Sequence, residues 1–151
     1  MSEKELIVQK IMEGTVIDHI DSGKALHVLS ILGITGSEGK VITVAINVPS
    51  KKYDKKDIIK IENTYLSPEA TNKISLISSH ATVNIIKDYE VVEKRTLEIP
   101  KQFSGMFKCP NPNCITNSGE KVETHFYVPS ENPPLLRCKY CDRIYPSNEL
   151  V

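Results

Sequence analysis

The chain has 151 residues, with nineteen Lys and Arg balanced by nineteen Asp and Glu, so no global positive field draws it to nucleic acid or to an anionic membrane surface. No apolar run approaches the roughly 20 residues that a membrane span needs. Met1-Ser2-Glu3-Lys4-Glu5 does not open a secretory signal, so the chain reads as cytoplasmic, in a reducing compartment.

Residues 5 to 11 are short and β-rich and predict a first strand; Gly14 then starts a turn into a polar-bearing loop over residues 15 to 20. From Ser22 onward Ala25, Val28, Leu29 and Leu32 recur at i, i+3, i+4 and i+7. That spacing predicts an amphipathic helix with Asp21 or Ser22 as N-cap and Gly33 as stop. Ile42, Val44, Ile46 and Val48 alternate along a strand that Pro49 ends, and a second alternating strand runs from Asp57 to Asn63 after a lysine-rich loop. Ser67-Pro68-Glu69 supplies a cap, an N1 proline and an acidic first turn for a second helix, whose stripe is Ala70, Ile74 and Ile77. Two further strands, Ala81 to Ile86 and Tyr89 to Leu97, are joined by a two-residue turn at Lys87-Asp88. This order predicts an α+β fold: a ferredoxin-like antiparallel sheet with both helices on one face and one appended strand. The opposite face is left for a ligand or a partner.

The last third differs in composition. Five of the nine prolines fall within 25 residues there, alongside all four cysteines, the latter in two pairs, Cys109-Pro110-Asn111-Pro112-Asn113-Cys114 and Cys138-Lys139-Tyr140-Cys141. Four thiolates on two short loops match the closed tetrahedron of structural zinc, with no open position for a catalytic water. Two disulfides are the alternative, and a reducing compartment disfavours them. His125 is a possible substitute ligand that four thiolates make unnecessary. A segment of about 50 residues buries too little for a self-sufficient core, whereas bound zinc contributes on the order of 10 kcal/mol. Two domains are therefore expected, residues 1 to 99 and a small β-rich, zinc-ribbon-like domain over residues 100 to 151. Short strands are expected at Met106-Phe107, Val122 to Val128 and Leu135-Leu136, with Phe107, Phe126, Leu136, Tyr140 and Ile144 as a satellite core.

Catalytic motifs are missing: there is no G-x-S-x-G, H-E-x-x-H, Walker loop or G-x-G-x-x-G, and His27 and His80 read as structural. The polar set Asp18, His19, Lys60, Asn84 and Lys94 has the chemistry to hold a nucleotide. Two ammonium groups and an imidazole complement a polyphosphate, and a carboxylate accepts from ribose hydroxyls. Spacing alone does not separate this from ordinary exposed strand lysines. The run from Lys51 to Lys56 reads as a solvated loop and not as a nucleic-acid patch.

Several segments in order carry a more specific signal: Gly14-Thr15-Val16-Ile17-Asp18-His19-Ile20, Lys56-Asp57-Ile58-Ile59-Lys60-Ile61-Glu62-Asn63-Thr64, Ala81-Thr82-Val83-Asn84, Tyr89-Glu90-Val91-Val92 and the two cysteine loops. Together they resemble the regulatory chain family of aspartate carbamoyltransferase, an enzyme of pyrimidine biosynthesis, over nearly the whole chain. The resemblance implies a noncatalytic subunit whose N-terminal domain binds CTP or ATP and pairs with a second copy, and whose zinc domain docks on the catalytic chain. It implies that Lys94 and His19 face the triphosphate, Asp18 and Lys60 the ribose side, and Asn84 the adjoining polar wall. Backbone near Ile11 and Tyr89 would read the base, and Val8, Val16 and Val91 would line the pocket. Cys109, Cys114, Cys138 and Cys141 would hold one Zn2+, while Asn111, Asn113, Asp142 and Arg143 would meet the catalytic chain. The rival classes are a zinc-ribbon nucleic-acid-binding protein, which zero net charge disfavours, and a small metalloenzyme, which would need an exchangeable metal position.

Overall fold

The computed structural model describes residues 10–51 and 54–150, which fall into two compact units divided between Glu98 and Ile99. Val8 and most of the strand expected over residues 5 to 11 lie outside the described residues; Lys10 and Ile11 belong to no strand.

In the first unit the elements are β1 (Gly14–Asp21), α1 (Ala25–Ile31), β2 (Ile42–Ser50), β3 (Asp54–Glu62), α2 (Pro68–Ser75), β4 (Thr82–Lys87) and β5 (Glu90–Thr96). The five strands form one sheet in the order β2-β3-β1-β4-β5, every neighbouring pair antiparallel. This is the ferredoxin-like arrangement with β5 added at the edge. Ile17 and Ile20 of β1, Ile59 and Ile61 of β3, and Val83 and Ile85 of β4 close on Ala25 and Val28 of α1 and Ile74 of α2 in one buried cluster. Strand residues alternate between faces, so both helices cover one side of the sheet and the even-numbered partners Val16, Lys60 and Asn84 lie on the other.

Several local expectations change. The segment from Gly14 to Ile20, read as a turn and a loop, is the central strand of the sheet. Gly14 is needed there for close approach: at φ +139° a Cβ would stand 2.1 Å from the carbonyl oxygen of Ile61. Neither Asp21 nor Ser22 caps α1. The cap comes from β3, where the buried Asp57 carboxylate accepts from the backbone N–H groups of Gly23 and Ala25, each at 2.9 Å. Strand β2 continues through Pro49 to Ser50, which an edge strand tolerates because the missing N–H breaks no ladder on its free side. A bulge between Ala45 and Val48, with Asn47 at φ +61°, breaks the expected alternation, so Val48 is buried while Ile46 is exposed. The β4–β5 turn is Asp88-Tyr89, one residue later than expected, with both residues at positive φ as a type I′ hairpin requires. The second helix is as read: Ser67 Oγ accepts from the Ala70 N–H and Pro68 opens the first turn.

The second unit is a four-stranded antiparallel sheet, β6 (Gln102–Ser104), β7 (His125–Glu131), β8 (Pro134–Cys138) and β9 (Ile144–Pro146), in that order. Its core is Phe103, Phe107, Phe126, Leu136 and Tyr145, with edge-to-face contacts running from Phe103 through Phe107 to Phe126. Met106-Phe107 is not a strand, and Tyr140 and Ile144 are exposed, so the expected satellite core is replaced in part by Phe103 and Tyr145. The reason is register: Ile144 pairs with Arg137, on the face away from Leu136.

Candidate metal centre and ligand face

The two cysteine loops bring four sulfurs together. The Sγ atoms of Cys109, Cys114, Cys138 and Cys141 all lie within 4.8 Å of one another, with Cys109 to Cys141 at 3.8 Å and Cys114 to Cys138 at 3.7 Å. A disulfide needs about 2.05 Å, and all four thiols are free. A tetrahedron with metal–sulfur bonds of about 2.3 Å has edges of about 3.8 Å, so the donor set fits a tetrahedral metal ion.

Backbone bonds fix each loop. The carbonyl of Asn111 accepts from Cys114 N–H (3.0 Å) and from Asn117 Nδ2 (2.7 Å), and the Asn111 side chain accepts from Asn113 N–H. Asn117 Nδ2 also reaches the Cys109 carbonyl at 2.8 Å. In the second loop Asp142 N–H donates to Cys138 O and Cys138 N–H to Arg143 O, while Asp142 takes φ +59°. Lys139 N–H donates to His125 O, tying this loop to β7. Burial pushes the Cys138 thiol up to about 12. It acts in the same direction on Cys141, but hydrogen bonds from the Arg143 backbone, the Asn111 side chain and the neighbouring thiols outweigh it and bring that group down to about 7. Tyr145, which the sequence reading missed, places its hydroxyl 3.8 Å from Cys109 Sγ. Of the four residues expected at a partner surface, Asn113, Asp142 and Arg143 are exposed, whereas Asn111 is buried and occupied in holding its loop.

On the helix-free face of the first unit, register aligns residues far apart in sequence. Thr43 pairs with Lys60, Lys60 with Val16, Val16 with Asn84 and Asn84 with Lys94, a single row across all five strands. Lys60 is only 9% exposed, and burial lowers its ammonium pKa from 10.5, with Asp18 opposing the shift and Lys10 adding to it. The side-chain oxygen of Asn84 is buried and has no hydrogen-bond partner among the described residues.

Asp18 and His19 flank this row. A bulge between Ile17 and Ile20 sets both opposite Ile58, and His19 takes φ +56°. Instead of continuing the alternation into the core, the His19 ring meets Thr82 Oγ1 at 3.1 Å, and Thr82 pairs with Asp18. Asp18 accepts from the His19 N–H at 2.7 Å and pairs with Lys56 Nζ at 3.0 Å, so Lys56 belongs to this face and not to a solvated loop. At the far end, Tyr89 N–H donates to Met12 O, which sets the backbone beside buried Ile11 against the β4–β5 turn, and Val91 pairs with Ile86 in exposed surface. Val16, Lys60, Asn84 and Lys94 are thus brought into one row, and Asp18 and His19 next to it. Thr43, Thr82 and Lys56 were not found from sequence, because only the strand register reveals them.

The class so defined is a two-part α+β chain that joins an antiparallel sheet unit with an open polar face to a small β unit held by a cysteine-bound metal. A family model described as aspartate carbamoyltransferase regulatory chain, allosteric domain, matches residues 6–98, and one described as the metal binding domain of the same chain matches residues 101–151. Proteins named aspartate carbamoyltransferase regulatory chain are similar along nearly their whole length. The one from Cenarchaeum symbiosum (strain A) is 56% identical over 144 residues, 95% of this chain and 94% of its own. The one from Thermococcus kodakarensis is 51% identical over 148 residues, 98% of this chain and 97% of its own. The chain belongs to the family of aspartate carbamoyltransferase regulatory chains and is a noncatalytic subunit with an allosteric and a metal-binding domain.

Proposed function

We propose that the first unit binds CTP or ATP on its helix-free face and that the second holds one structural Zn2+ and docks on the aspartate carbamoyltransferase catalytic chain. The observation that carries the nucleotide reading is the row from Lys60 to Lys94, with the buried Asn84 oxygen, unbonded among the described residues, inside it. A buried acceptor without a donor costs about 1–3 kcal/mol, and a ligand N–H or O–H at that point recovers it. Lys94 and His19 take the triphosphate, Lys60 and Asp18 the ribose side, and Asn84 the polar wall between them. Backbone beside Ile11 and Tyr89 reads the base, with Val16 and Val91, and Val8 outside the described residues, as apolar lining.

All-sulfur coordination at tetrahedral spacing supports zinc in the second unit. Asn113, Asp142 and Arg143 are exposed on loops that the metal fixes, which suits them to meet a partner; Asn111 acts there by shaping its loop. Two copies pair through their first units, and the assembly works in the cytoplasm. Effector binding acts by linkage: a nucleotide that prefers one quaternary state shifts the catalytic chains toward it, and a coupling of about 1–3 kcal/mol is enough.

The test is a calorimetric titration of the zinc-loaded chain with CTP and then ATP, with GTP as control. Saturable, mutually competitive binding of CTP and ATP is expected, lost in Lys94→Ala with zinc content unchanged. A folded, zinc-replete chain that binds neither nucleotide would overturn the reading.

A further inference from the structure

Asp57 has no part in the nucleotide contacts above, yet it is fully buried and accepts three backbone hydrogen bonds. Its Oδ2 takes Gly23 N–H and Ala25 N–H, and its Oδ1 takes Asn47 N–H, each at 2.9 Å. Two bulges converge on this point of β3. On one side Asp18 and His19 of β1 stand opposite Ile58, and on the other Ile46 and Asn47 of β2 stand opposite Asp57 itself. The end of β1 and the residue that follows it are fastened as well. Ser22 Oγ meets Asn47 Oδ1, and Asp21 N–H donates to Ser78 Oγ at 2.9 Å.

We infer that Asp57 is the positioning residue of the ligand face: by fixing the β2 bulge and the N-terminus of α1 to β3, it sets where the Asp18-His19 bulge presents its carboxylate and imidazole. The inference rests on the nucleotide reading for its consequence, though not for its geometry. A β-bulge re-aims side chains only as well as its surroundings hold it. At this bulge the ladder to β3 is interrupted; it resumes only for Ile20 and Asp21, and the chain is then secured by the Asp21 amide on Ser78 and by the Gly23 and Ala25 amides on Asp57. The carboxylate has two acceptor oxygens for those amides. An amide side chain has one, so Asp57→Asn must release either α1 or the β2 bulge.

The experiment compares zinc-loaded full-length Asp57→Asn with Val28→Ala, which removes two methyl groups from a fully buried position on α1 without touching the junction. The first readout is the imidazole 15N shifts of His19, which report its bond to Thr82. The second is the affinity for CTP. Asp57→Asn is expected to move the His19 resonances and weaken CTP about tenfold, the scale of one lost hydrogen bond to a charged group, while Val28→Ala at equal or greater loss of stability moves neither. Equal effects from both variants, or a folded Asp57→Asn with unmoved His19 resonances, would overturn the inference. If the wild-type chain binds no nucleotide, the nucleotide reading fails and the His19 resonances alone decide the positioning role. If Asp57→Asn does not fold, Asp57→Ser in sucrose, which strengthens burial, is read by the same two criteria.

Discussion

Asn84 and Lys60 bear the cost of the open polar face of the first unit. The buried Asn84 oxygen has no donor among the described residues, and the Lys60 ammonium sits where burial disfavours its charge. Replacing Asn84 by Leu removes an unsatisfied polar group, so urea unfolding of the ligand-free chain should show a gain of about 1 kcal/mol, together with weaker CTP binding. An Asn84→Leu chain that is less stable than wild type would contradict this account of the face. For Lys60 the sign follows from linkage. The unfolded chain keeps this proton up to about pH 10.5 and the folded chain releases it lower, so folding stability rises with pH between the two values. Lys60→Met should flatten that alkaline rise. A bound nucleotide whose ribose oxygens accept from Lys60 favours the ammonium and restores its proton, so calorimetry in two buffers of different protonation enthalpy should detect proton uptake on binding within the same window and less in Lys60→Met.

At the scale of elements, what could be read from sequence was what is decided locally. The cap of α2 sits three residues from its donor, Ser67 accepting from Ala70 N–H, and was legible; Ser67→Ala should cost about 1 kcal/mol in denaturant unfolding. The cap of α1 comes from Asp57, 32 residues beyond Ala25, and no local pattern announces it. Strand β1 was misread because Asp18 and His19 fall on one face at the bulge and break the period of two on which strand recognition rests. The β4–β5 turn was displaced because Tyr89 adopts a positive φ that its side chain does not advertise. The cysteine pairs were legible from spacing alone, since each pair lies on one short loop. The ligand face was legible only as a set of residue types. Its row exists through four strand pairings, and the additions Thr43, Thr82 and Lys56 had no signal short of the register.

For the molecule as a whole, the two units depend on different stabilising terms. The first closes two helices over a five-stranded sheet, while the second gathers a few aromatic side chains around four sulfurs. Chelation, or Cys114→Ser, should therefore unfold β6 to β9 and abolish docking on the catalytic chain, while amide hydrogen exchange in β1, β3 and β4 stays protected. Loss of protection in both sheets together would show that the first unit depends on the metal.

The placement of the last cysteine loop also orders events during synthesis. Every strand of the first sheet precedes Glu98, whereas the fourth sulfur is not made until Cys141. Since domains tend to fold as units while the chain emerges, a nascent chain completes the sheet with its polar face while the four-cysteine unit is still unmade. The ribosome therefore delivers the allosteric domain first and the metal-binding domain last; under the proposed function, a truncated or metal-starved product would still bind effector and would fail to join the catalytic chains.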